Sequence, residues 1–172
     1  MKAEEYVQKA YQCILQNDFE QAVEWFEKAI SAQPDHAEHY FRCSVTYARS
    51  GRLEQALAYA EHAVRLAPQQ DEYILHLHAQ EARQHTEKAR KMLDVDRATP
   101  QVRQDAILLL ERAIALDPLC GDAFLLLALI YDELNEYKLA VQAAREAAAL
   151  FPHNVQLANL MKKLCQQMNE QI

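Results

Sequence analysis

Seven histidines and four cysteines are the residues of this 172-residue chain best suited to hold a metal or attack a substrate. His36 and His39 stand three apart, and His78 and His85 stand seven apart with Glu81 and Glu87 close by. On a helix each pair shares a face, which is half of a zinc site. The other half, further ligands converging from neighbouring elements, has no counterpart in the sequence. Cys13, Cys43, Cys120 and Cys165 form no CxxC pair, so reduced and unligated thiols are expected. No GxSxG, GxxxxGKS/T or HExxH segment supplies a nucleophile elbow, a phosphate loop or a metalloprotease helix. The expectation is no catalytic residue, no cofactor and no metal. No enzymatic activity is expected.

The elements that carry these residues follow from composition. Two glycines and five prolines leave little for the tight turns of a sheet, and the supply of Ala, Leu, Glu, Gln, Lys and Arg favours helix. The chain reads as all-α. A net charge of −7, with no block of basic residues, opposes phosphate neutralisation and so excludes nucleic acid as a partner. The longest apolar run, "AFLLLALIY" at 123–131, is about half a membrane span. The opening "MKAEEYVQKAYQ" carries acids and no apolar core of a signal peptide. With thiols expected to be free, a cytoplasmic location is expected and a membrane is not.

One period organises the chain. The segments "EQAVEWFEKAISAQP", "EQALAYAEHAVRLAP", "QDAILLLERAIALDP" and "KLAVQAAREAAALFP" align without gaps. Their shared positions are Ala22, Phe26, Ala29 and Pro34, then Ala56, Ala60, Ala63 and Pro68. Next come Ala106, Leu110, Ala113 and Pro118, and finally Ala140, Ala144, Ala147 and Pro152. Successive prolines lie 34, 50 and 34 residues apart, so the third interval carries an insertion of 16. Alanines seven apart on a helix let a facing helix approach closely, and the proline stops the helix by withholding a donor.

The pattern resembles the tetratricopeptide repeat, a 34-residue helix–turn–helix unit. Helix A of the second unit fits well through Tyr40, Ser44, Tyr47 and the turn Gly51. The fourth fits through Phe124, Leu127, Ala128 and Tyr131, with Asn135 in place of the turn glycine. The first is looser, at Tyr6, Ala10 and Cys13, and the third departs further, with His78 and Glu81 at the small and Tyr positions. The resemblance implies a right-handed α-solenoid forming one domain over 1–172. Its four repeats cover 3–36, 37–70, 71–120 with the insertion, and 121–154, followed by a capping helix at 155–170.

The inserted segment "HTEKARKMLDV" has no breaker until "DVDRATP", where Thr99 suits an N-cap and Pro100 the first helical position. Helices are therefore expected over 71–93 and 100–116, joined at 94–99, as a hairpin standing proud of the repeats. Met92, Leu93, Val95 and Val102 would close its tip. The hairpin reads either as a tolerated insertion or as a contact for a partner or a second copy. In the last helix Leu157, Leu160, Met161, Leu164, Cys165 and Met168 form one stripe, with Lys162, Lys163, Gln166 and Gln167 away from it. A terminal cap with a polar outer side explains it, and an amphipathic membrane helix is the weaker alternative.

The family usually works through the concave surface lined by helix A. Carried onto this sequence, its groove positions fall on Val7, Tyr11 and Leu15, then Phe41, Arg42, Val45 and Arg49. The third and fourth repeats add Leu75, His76, Ala79 and Arg83, then Leu125, Leu126 and Leu129. The result is an apolar trough crossed by arginines, suited to a protein or peptide with apolar anchors and a carboxylate. The carboxylate clamp by which some members hold chaperone tails would need Lys and Asn where Val7 and Tyr11 stand, Asn in place of Arg42, and Lys and Arg in place of Glu72 and His76. Binding of Hsp70 or Hsp90 C-terminal tails is therefore not expected. Glu4, Glu38, Glu72 and Asp122 recur at the second position of each repeat, either offsetting helix dipoles or selecting basic partners. The leading expectation is a protein-interaction adaptor. The alternative is a self-assembling structural subunit that forms a homo-oligomer through the groove or the 85–99 hairpin.

Overall fold

A computed structural model describes residues 2–94 and 99–170, and those residues form nine helices and no strand. In chain order they are α1 (Ala3–Leu15), α2 (Phe19–Ala32), α3 (Ala37–Arg49), α4 (Leu53–Leu66) and α5 (Asp71–Leu93). Then follow α6 (Pro100–Leu116), α7 (Gly121–Glu133), α8 (Tyr137–Leu150) and α9 (Val155–Glu170). All four repeats end alike: the residue before each proline bonds back to the second helix B alanine, Gln33 N–H to Ala29, Ala67 to Ala63, Asp117 to Ala113 and Phe151 to Ala147. The alanines that stand seven apart in each helix B, eight in all, are fully buried. That is the close helix approach their spacing demands.

The turns between helices A and B also repeat. Asn17 (φ 59°), Gly51 (φ 77°) and Asn135 (φ 59°) are left-handed, the conformation that Gly and Asn tolerate best. After each, a backbone N–H reaches back across the turn: Asp18 to Cys13, Arg52 to Tyr47 and Glu136 to Tyr131. In the third repeat the same place belongs to His85, which lies inside α5 with helix on both sides. No turn forms there.

The insertion is thereby located. α5 has 23 residues where the other helices A have 13, and α6 has 17 where the other helices B have 14. The link takes the remainder. Thr99 accepts from Val102 N–H at 3.3 Å and Pro100 opens α6, as the sequence predicts. The hairpin is not a bare projection, however. Ala89 is fully buried and Leu93 packs on the same core as Ala106, Ile107 and Leu110, because the extended turns of α5 still present a small-residue face. Met92 and Val102 are half-buried. Val95, and most of the 94–99 break, lie outside the described residues.

The described residues group into two units, divided between Glu81 and Ala82 inside α5. In the first, α1 packs on α2, α2 on α3 and α3 on α4, around Ala10, Val23, Phe26, Cys43, Tyr47 and Ala56. In the second, α6 packs on α7, α7 on α8 and α8 on α9, around a core that includes Leu110, Leu127, Leu157 and Leu164. Gly121 opens α7 beneath the ring of Phe151, where a Cβ would stand 2.5 Å from the ring edge. On α9 the stripe holds at Leu157, Leu160, Met161, Leu164 and Met168, but Cys165 is exposed and Gln167 is half-buried. Residue 165 is one step of 100° beyond Leu164, enough to turn it off the core face. Among the described residues no helix is long and apolar enough to cross a membrane.

Candidate functional site

In the first unit, helix A side chains from two repeats meet at one cleft. Val7 and Tyr11 from α1 and Arg42 from α3 line a space of about 320 Å³ together with Glu4, Gln8, Gln33, His36, Glu38 and His39. The Arg42 guanidinium lies 5.1 Å from the centre of the Tyr11 ring, within cation–π range. Tyr11 in turn meets Phe26 edge-on at 5.9 Å. Arg42 Nε and one terminal nitrogen both donate to Glu38 Oε1, one helical turn earlier. Three of its five N–H donors are left for a ligand.

The other expected groove residues divide by what they touch. Phe41 stacks on Tyr73 at 4.6 Å and meets His76 edge-on at 5.3 Å, so it is built into the packing of α3 on α5. His76 Nε2 lies 2.8 Å from Ser44 Oγ, whose hydroxyl donates to the Ala56 carbonyl at 2.6 Å. With its proton so used, Ser44 accepts, and His76 donates from Nε2. His76 thus bridges two repeats, and it is half-buried. Val45 is half-buried, and Arg49 and Leu75 are exposed, as is Leu15. In the second unit Arg83 and Leu129 are exposed, and Leu125 and Leu126 are half-buried on α7.

Two residues escape sequence reasoning, His39 in the cleft and Glu27 outside it. His39 is buried: its Nε2 meets Gln33 Oε1 at 3.0 Å, its ring stacks on His36 at 4.2 Å, and its Nδ1 has no hydrogen-bond partner. Burial, with His36 beside it, holds its pKa below the ordinary histidine value. Glu27 is the other surprise. It accepts from both Tyr47 and Tyr59, each at 2.8 Å, and burial together with that bond raises both phenols well above the usual tyrosine value. The available signal is Tyr47 placed twenty residues after Glu27, a spacing that recurs at Glu111 and Tyr131. Among the described residues no group of three His, Cys, Asp or Glu side chains could hold a metal.

Two family models described as tetratricopeptide repeat match this sequence, one over residues 14–81 and one over 103–155. The chain belongs to the tetratricopeptide repeat family. The gap between the two matches falls on the insertion. No curated protein matches the sequence. Among solved structures, the MamA protein is similar at 22% identity, over 97% of this chain and 82% of that one, with a TM-score of 0.52. MamA from Desulfovibrio magneticus matches at 16% identity over 98% and 92%, with a TM-score of 0.54. A tetratricopeptide repeat protein from Parabacteroides merdae matches at 17% identity over 98% of this chain and 60% of its own, at 0.55. At these identities the likeness is one of fold, an α-solenoid of helical repeats. Tetratricopeptide repeats in general serve protein–protein interaction or scaffolding.

Proposed function

We propose that the protein is a non-catalytic adaptor in which helix A side chains hold a peptide or helix of a partner protein. The cleft of Val7, Tyr11 and Arg42 carries this reading. It sets the Val7 side chain, the Tyr11 ring and a partly used guanidinium side by side among otherwise polar residues, which supports a segment with a small apolar anchor and one carboxylate. The partner's carboxylate would share Arg42 with Glu38 and reach Arg49, which makes no ion pair among the described residues. We take the cytoplasm as its compartment, supported by four free cysteines.

The test is a pull-down read by mass spectrometry with wild type, Arg42→Glu and Arg49→Glu. Proteins retained by wild type and lost from both variants are the expected result. If both variants keep full affinity while substitutions within 85–99 abolish it, the groove reading is wrong. A self-assembling subunit is the second reading, favoured by α7, where Leu129 is 41% exposed beside half-buried Leu125 and Leu126. Concentration-dependent light scattering of the purified protein decides it.

A further inference from the structure

The four repeats provide an internal template for one another. In the first, Tyr6 of helix A stacks on Trp25 of helix B at 5.9 Å, and Lys28 Nζ sits 3.9 Å from the Trp25 ring centre. In the second, the same register places Tyr40 6.1 Å from Tyr59 and 4.9 Å from the ring of His62. The helix B aromatic therefore stands beside the helix A aromatic, with Lys28 over the helix B ring in the first repeat and His62 against the helix A ring in the second. The third repeat has Leu109 and Arg112 at those places, and the fourth has Ala143 and Glu146.

The fourth repeat keeps the helix A aromatic, Phe124, and loses both companions. What stands in their place is an open recess of about 170 Å³ between α7 and α8. Phe124, Leu127, Tyr131, Leu139 and Ala143 give it apolar walls, and Glu146 is the one charged residue lining it. An apolar cavity of about 150 Å³ accepts a benzene ring. The recess has room for one aromatic ring, and the missing side chain is an aromatic.

We propose that this recess takes a single aromatic side chain of a partner segment, with a positive charge beside the ring to meet Glu146. The charge follows from the inversion at that register position, from Lys28 in the first repeat and Arg112 in the third to an acid. Glu146 makes no ion pair among the described residues and is exposed. This site is separate from the helix A cleft and does not depend on it.

Phenethylamine, a ring with an ammonium two carbons away, is the probe, and 3-phenylpropionate is its counterpart of opposite charge. Methyl NMR of the full chain reads the Leu127, Leu139 and Ala143 methyls. Phenethylamine should shift them saturably and bind about threefold to fivefold tighter than 3-phenylpropionate, the scale of one solvent-facing ion pair. Glu146→Gln should bring the two probes together. Ala143→Tyr, which restores the residue of the second repeat, should abolish the shifts at Leu127 and Leu139 and raise Tm. If that variant does not fold, the wild-type and Glu146→Gln comparisons still decide. No saturable shift, or equal affinity for both probes, overturns the proposal. So does the same shift pattern arising with protein concentration alone, since a second copy would then occupy the recess.

Discussion

Tyr47 of α3 donates its hydroxyl to Glu27 of α2 at 2.8 Å, tying helix A of one repeat to helix B of the repeat before it. Tyr59 of α4 donates to the same oxygen, so one carboxylate satisfies two phenols, and the Tyr47 ring is buried. Glu27→Ala strands both hydroxyls. We expect a loss of roughly 1.5–3 kcal/mol, the scale of hydrogen bonds to a charged acceptor, here in a partly buried setting. Urea unfolding of the variant measures it, and a loss below about 0.5 kcal/mol, the level of an ordinary surface substitution, would refute the anchoring role.

The His39 pKa is lowered in the folded chain by burial and by His36. The unfolded chain therefore binds the proton first as pH falls. This contribution to stability is complete above the unfolded histidine value of about 6.5 and is lost as pH drops through it towards the lower folded value. Unfolding free energy should decline between neutral pH and about pH 5, with a shallower slope in His39→Gln. Identical slopes in the two proteins would remove His39 from the account.

Thiol reactivity should follow burial. Cys165 is exposed and Cys13 half-buried, while Cys43 and Cys120 are buried, and burial raises the Cys43 thiol far above its ordinary pKa. Iodoacetamide added to native protein should label Cys165 first and Cys43 last, followed by peptide mass spectrometry. All four thiols should react after denaturation without reductant.

Groove and core substitutions should separate. Leu110 has no exposed surface, so Leu110→Ala should cost roughly 2–5 kcal/mol through the cavity it leaves. Arg49→Glu, at an exposed position, should stay within about 0.5 kcal/mol. Chemical denaturation of both variants tests this directly.

Removing the insertion should leave a regular array if the turn is also restored. Deleting 86–101 returns the 34-residue spacing, and His85→Asn supplies the left-handed residue found at Asn17 and Asn135. Helical content per residue should hold by circular dichroism. Tm should fall, because Ala89 and Leu93 leave the core. A chain that no longer unfolds cooperatively would show that the long α5 is required.

Much of the architecture is legible in the sequence because small residues and prolines have few uses. An alanine every seventh residue that ends in proline is hard to place anywhere but a close-packed helix that must stop, and the buried Ala22, Ala56, Ala106 and Ala140 are that helix. The cleft is less legible, since residues such as Phe41 and His76 have two competing uses. Helical register puts both at groove positions, yet their rings meet Tyr73 and each other. His39 shows the same limit: Gln33 and His36, from the link before α3, cover its ring, a contact that spacing alone does not give.

Gly121 and Phe151 lie thirty residues apart in the chain and share one small volume. A side chain at 121 would displace the Phe151 ring from its seat, and a smaller residue at 151 would open the room that a side chain needs. The substitutions each position tolerates therefore depend on the residue at the other, so their effects should be non-additive. In mutational terms the two sites are a single epistatic unit: Gly121→Ala should cost less in a Phe151→Leu background than in the native chain.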